Sequence, residues 1–355
     1  MDIDGLVRTD LNRRGFLKLS AATAALLPLG CLASKKPALE SLEGVVHPER
    51  VVFPPLKGSK VQPPKHGCYI GYHYEHTIGP QPYIDFYNKW VEVTGKKPAI
   101  IITSIGWTVT DLKKKFPSTL REQMTKSYKD SEKVISFFYR DLQADIKEHG
   151  GFGNLAGNKQ FGKDVERYAQ QIEKYKEPMF FCTMRELNGH WFPWGEQSKT
   201  VKEVWKFMWQ IFEDNGANEY ATWVWEVYCP FGRIARPEGY YPGDDYVDWI
   251  GLSTWSRANN PETHRSYRAL TERTYEEMLE KGKPIIQAEA GRTRGRIQKK
   301  WVKGYFETVR EWAGIKAAII WSGFDPSIND NHYLTDKTLR ALSEVVKEDR
   351  YFIGA

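Results

Sequence analysis

Cysteine is scarce in this chain, four in 355 residues, and Cys31, Cys68, Cys182 and Cys229 are too widely spaced for a disulfide framework or a zinc ribbon. The last three read as small buried hydrophobes, with a Cys182–Cys229 bridge open only if their strands are neighbours. Long apolar runs are missing too. The longest, Leu19 to Gly30, is about a dozen residues against the ~20 that a membrane span needs, so no helix is expected to cross a bilayer. Blocks of one charge are absent: the net charge is +6, but acidic and basic residues are interleaved, which argues against nucleic acid as a partner. No glycine-rich phosphate loop stands at a strand-to-helix junction, and no cofactor is expected. His73 and His76 have no clustered third ligand, and no metal site is assigned.

What is present begins with an export signal. Asn12-Arg13-Arg14-Gly15-Phe16-Leu17-Lys18 is a twin-arginine start, and residues 1–31 are set aside from the fold as a targeting segment. Gly30-Cys31 after Leu27 resembles a lipobox, with Pro28 where leucine is usual, so Cys31 is a candidate for lipid attachment to a membrane. The expected destination is extracellular, periplasmic or lipid-anchored at the cell surface. Residues 32–65 carry Pro37, Pro48, Pro54, Pro55, Pro63 and Pro64 and read as an extended tether. Residues 66–355 then form a single body, since no repeat or second proline-rich break interrupts them.

Inside that body, eight short apolar runs alternate with amphipathic stretches. The runs begin near Cys68, Ala99, Val134, Met179, Thr222, Val247, Ile285 and Ala317, and are rich in β-branched and aromatic residues. Continuous runs of this kind suit parallel strands buried on both faces. Helical patterns cover residues 164–174, 201–212, 275–280, 301–312 and 339–346. The alternation predicts an α/β fold, a (β/α)8 TIM barrel. Trp205 and Trp209, four apart on one helix face, are expected to pack on the barrel wall, as are Trp301 and Trp312.

Two of the runs end on a glutamate. Arg185-Glu186-Leu187-Asn188-Gly189-His190-Trp191-Phe192-Pro193-Trp194 follows the fourth strand, and Lys283-Pro284 through Glu289-Ala290-Gly291 spans the seventh. Catalytic groups of such barrels sit at the C-terminal ends of strands. Paired carboxylates in one cleft are what glycosidic cleavage requires, ~5–5.5 Å apart for retention and ~6.5–9.5 Å for inversion. Trp191 and Trp194 supply flat apolar faces on which sugar rings stack. Trp107, Tyr139, Tyr228 and Trp321 fall at other strand ends and are candidates to line the same groove, while Asn188 and His190 flank the first glutamate.

These segments, with Tyr241-Pro242-Gly243-Asp244-Asp245-Tyr246-Val247-Asp248-Trp249-Ile250-Gly251 before the sixth strand, resemble glycoside hydrolase family 26, the family of β-mannanases. The likeness runs from about Gly67 to about Thr338. It implies a retaining TIM-barrel hydrolase of a β-linked polysaccharide, mannan first, with Glu186 as general acid/base and Glu289 as nucleophile. β-1,3-Xylan and mixed-linkage β-glucan stand as alternative substrates, and a barrel that binds carbohydrate without cleaving it as an alternative function.

Two places depart from the family pattern. Cys182 and Arg185 stand where the family has arginine and histidine, and the sixth strand offers Trp255 where the family commonly has a tyrosine for the nucleophile. Strand alternation would turn Arg185 away from the barrel axis; otherwise it would lie beside Glu186 or reach a sugar hydroxyl. Trp255 is expected to hold Glu289 or to floor a sugar subsite.

Overall fold

A computed structural model describes residues 51–75, 81–104, 134–229, 235–325 and 329–355, all within one compact unit. The export segment, Cys31, His76 and Trp107 lie outside the described residues. The eight apolar runs become eight parallel strands: β1 (Cys68–Tyr74), β2 (Ile100–Ser104), β3 (Ile135–Arg140), β4 (Met179–Thr183), β5 (Ala221–Tyr228), β6 (Trp249–Ser256), β7 (Ile285–Arg292) and β8 (Ile315–Ser322). Each pairs with the next, and β8 returns to β1 with Tyr69 opposite Ala317 and Tyr74 opposite Ser322. Beyond β8 come a hairpin, β9 (Phe324–Asp325) and β10 (Asp330–Asn331), and a last strand β11 (Phe352–Ile353) beside the start of β1.

The helices among the described residues are α1 (Gln81–Thr94), α2 (Gln143–Glu148), α3 (Lys159–Tyr175), α4 (Ser198–Asp214), α5 (Tyr267–Leu279), α6 (Gln298–Glu311) and α7 (Asp336–Val346). Most start earlier than their apolar periodicity suggests because a polar side chain caps them. Asn158 accepts from the Gln160 and Phe161 amides, Ser266 from Ala269, and Thr335 from Thr338. Capping satisfies amides that have no partner in the first turn. α1 and α2 are elements the periodicity did not mark.

Strand side chains divide into two layers. Inside the barrel lie Ile100, Ile102, Phe137, Phe180, Val224, Trp249, Ile286 and Ile319. Outside it Ile70, Ile101, Phe181, Trp223, Ile250 and Ala318 meet the apolar faces of the helices. Burying each of the larger side chains contributes about 1.5–3 kcal/mol. Trp205 packs on Trp223 at 5.2 Å, and Trp301 and Trp312 both lie against Tyr267. Cys182 faces the interior and Cys229 the outer layer. Neighbouring strands therefore carry them on opposite faces, and both thiols are free.

The stretch expected to end the tether does not hang free. Phe53 and Val61 are buried, the Val61 amide donates to Thr222 Oγ1 at 2.8 Å, and Trp249 Nε1 donates to the Val61 carbonyl at 3.2 Å. Lys60 pairs with Asp248 at 2.7 Å. Thr222, Asp248 and Trp249 sit at the N-terminal ends of β5 and β6, so residues 51–65 belong to the barrel floor. The expected boundary at residue 65 was too late. Its prolines favour an extended backbone, but that backbone finds side-chain partners on the floor.

Candidate active site

The chain leaves β4 at Thr183 through two non-glycine residues in the left-handed region, Met184 at φ 56° and Glu186 at φ 50°. Such backbone is uncommon outside glycine and concentrates at functional sites. It breaks strand alternation, and Glu186, 6% exposed, turns into the mouth of the barrel. Three donors hold its carboxyl. Ser253 Oγ and Trp255 Nε1 donate to Oε1 at 2.6 and 2.9 Å, and Trp191 Nε1 donates to Oε2 at 2.6 Å.

Glu289 reaches the same mouth by another device. Across β6 and β7, Leu252 faces Gln287 and Ser253 faces Glu289, so Ala288 is the extra residue of a β-bulge. A bulge re-aims the side chain that follows it. Gln287 bonds Tyr267 of α5 on the outside, whereas Glu289 points inward with 2% exposure. His73 Nδ1 lies 3.1 Å from Glu289 Oε1, and because an ionised carboxylate only accepts, that nitrogen carries the hydrogen. Arg185 Nη1 lies 3.5 Å from the same oxygen.

The environments push the two carboxyls apart. Burial, then the charge of Glu289, raises the Glu186 pKa above its ordinary value, against the Ser253 bond, the Arg185 charge and the Trp191 bond. For Glu289 burial is again the largest influence and acts upward. The His73 hydrogen bond and the Arg185 charge together outweigh it, and the pKa is lowered. One carboxyl is thus driven toward holding its proton and the other toward its charged form, the divergence that separates an acid from a nucleophile.

Several expectations need correction. Arg185 neither turns away nor serves Glu186 first; it pairs with Glu289 and lies over the rings of Tyr139 and Phe192 at 5.7 and 5.2 Å. Alternation failed because residues 184–186 are not strand. Trp255 donates to Glu186, not to Glu289, whose partner is His73. Trp194 is 1% exposed, stacks on Phe192 and donates to the Arg185 carbonyl, so it supports the loop and offers no face to a sugar. The Asn188 amide is spent on backbone: it donates to the Tyr228 and Ala235 carbonyls and accepts from the Tyr228 amide. Asn188 thus ties the loop to β5.

Trp191 is 42% exposed and meets the edge of buried Tyr228 at 4.7 Å, beside exposed His190 at 5.1 Å. Gly189 is required beneath it, since a Cβ there would lie 2.5 Å from the Trp191 ring. Trp321 is buried edge-on against Trp255 at 5.0 Å and His73 at 6.3 Å.

Sequence reasoning missed Glu226. It is wholly buried in β5, Cys182 Sγ donates to its Oε2 at 3.5 Å, and its side chain packs over Gly251. Burial, then the charges of Glu289 and Glu186, hold its pKa well above the carboxylate range. The signal was there: Glu226 is the one charged residue in Ala221-Thr222-Trp223-Val224-Trp225-Glu226-Val227-Tyr228. Ser253 gave no comparable signal.

The model of glycosyl hydrolase family 26 matches residues 153–348. Endoglucanase H of Acetivibrio thermocellus is 24% identical over 293 residues, covering 78% of this chain and 30% of that protein. A β-1,3-xylanase of an Alcaligenes species is 23% identical over 194 residues, covering 48% of this chain and 39% of that protein. The chain thus spans well under half the length of these relatives. Among solved structures, a modular endo-β-1,4-mannanase from Cellulomonas fimi superposes with a TM-score of 0.59 at 16% identity, covering 81% of this chain and 72% of that one, a likeness of fold.

Proposed function

The chain belongs to glycosyl hydrolase family 26, and from that premise we propose that it cleaves a β-linked polysaccharide within the chain, with retention of configuration. The observation that carries this is a pair of buried carboxyls in one barrel mouth whose proton affinities are driven in opposite directions. Glu289, kept ionised by Arg185 and His73, attacks the anomeric carbon. Glu186, held by Ser253, Trp255 and Trp191, gives its proton to the departing glycosidic oxygen. Glu186 then takes a proton from the water that attacks the glycosyl ester and frees Glu289. Trp191 and the half-buried Trp255 are the aromatic surfaces we assign to the sugars, with His190 at the rim and the buried Trp321 and Tyr228 backing them.

β-1,4-Mannan is the substrate we place first, because the acid/base segment reads as that of β-mannanases. Mixed-linkage β-glucan and β-1,3-xylan are the other arms of the test. Purified protein is scored for released reducing ends on the three polysaccharides, beside Glu289→Ala. Turnover on one of them that the variant lacks supports the reading. Binding without turnover would make the chain a carbohydrate-binding barrel instead. We further propose export by the twin-arginine route with lipid at Cys31. Loss of fatty-acid label in Cys31→Ala tests that attachment.

A further inference from the structure

His332 follows the β9–β10 hairpin and touches neither catalytic carboxyl in any described contact, yet it is 1% exposed inside the mouth. Its ring meets Trp255 at 5.2 Å and 84°, and Trp321 at 5.2 Å and 76°. Those indoles meet each other at 5.0 Å and 77°. Three rings, each edge to face with the other two, form a closed wedge. Such contacts are directional and resist rotation of any one ring. The main chain of His332 is fixed as well, its amide donating to the Gly323 carbonyl and its carbonyl accepting from Gln298 Nε2 at 3.3 Å. One ring of the wedge reaches the chemistry, because Trp255 Nε1 donates to Glu186 Oε1.

We infer that His332 is a positioning residue: an imidazole wedged behind Trp255 and Trp321, which fixes the indole N–H that Trp255 directs at the proton donor. The inference rests on Glu186 being that donor. The imidazole's surroundings suit an uncharged wedge. Burial, then the charge of Arg257, draws its pKa down to about 4; the Arg292 charge acts the same way, while Asp325 and a hydrogen bond to the Arg292 backbone oppose them. Asp330, 3.8 Å from Nε2, is engaged by Arg257 at 3.7 Å. Nδ1 faces Gly291, where a Cβ would lie 3.3 Å from it.

An N–H donated to a carboxylate favours the charged form. Freeing Trp255 therefore leaves Glu186 holding its proton to higher pH, among the Arg185, Glu289, Glu226 and Tyr228 groups that face it. The test is a double-mutant cycle on the full chain, read in the pH profile of kcat/KM on whichever polysaccharide is cleaved. His332→Ala is expected to lower kcat/KM about ten- to a hundredfold, the scale of a misplaced catalytic group, and to move the alkaline limb upward. Trp255→Phe is expected to move the same limb, and His332→Ala added to Trp255→Phe to move it no further. His332→Phe, which restores a ring edge, is expected to return the limb to its place.

A His332→Ala variant that loses thermal stability but keeps the wild-type limb overturns the inference, as does a double variant whose shifts add. Glu186→Gln on a substrate with an activated leaving group separates the premise from the inference. Fast glycosylation there, with natural-substrate turnover lost, keeps Glu186 as the donor whatever His332 does. Unimpaired turnover of the natural polysaccharide by that variant removes the donor assignment itself.

Discussion

Arg185 shows how far one side chain sets the chemistry. Its guanidinium, 3.5 Å from Glu289, favours the carboxylate, so Arg185→Ala raises the pKa of that group. With the roles proposed above, the acidic limb of the kcat/KM profile is then expected to move to higher pH, the alkaline limb being assigned to Glu186. An unmoved acidic limb would detach Arg185 from Glu289. Glu186→Gln, which cannot give up a proton, should lower kcat on unactivated polysaccharide by about 10²–10⁴-fold. Glu226 gives a prediction of another kind. It keeps its proton at pH values where an unfolded glutamate has lost it, so stability is full below the ordinary carboxylate range and declines as pH rises toward the raised folded value. Glu226→Gln, permanently neutral, should gain stability over the wild type at pH 8 and not at pH 4, measured by urea unfolding at both.

At the scale of elements, the strands follow from their composition, and the active-site turns do not. Apolar runs such as Met179-Phe180-Phe181-Cys182 have one solution when both faces are covered, which is why all eight strands were legible. The turn after β4 was not. Met184 and Glu186 adopt left-handed backbone without glycine or asparagine to announce it, and the bulge at Ala288 is silent because Gln287-Ala288-Glu289 reads as ordinary alternation. Both features decide where a charged group points, so the glutamates were legible by position while the partners of Arg185 and Trp255 were misassigned. β5 and β6 add a prediction. A methyl at Gly251 would lie 2.9 Å from Val224 Cγ1 and 3.0 Å from Glu226 Cβ. Gly251→Ala should cost about 1–3 kcal/mol in unfolding free energy, as overpacking of a tight interior does.

Across the whole molecule, the barrel divides labour between its ends. The floor is closed by residues 51–65, where Val61 joins the inner core and Lys60 pairs with Asp248. Val61→Ala should cost about 1–2 kcal/mol by denaturant unfolding with kcat unchanged, because the chemistry lies at the other end. At the open end the fold brings His73 from β1, Glu186 from beyond β4, Glu226 from β5 and Glu289 from β7 into one mouth. The account stands on Glu289 being the atom donor to a glycosyl ester while Glu186 handles the proton. Trapping that ester with a slow fluoroglycoside, followed by peptide mass spectrometry, tests it most directly. The account predicts one sugar on the peptide that contains Glu289; a label on Glu186 or Glu226, or inversion of configuration with no trapped ester, would contradict it.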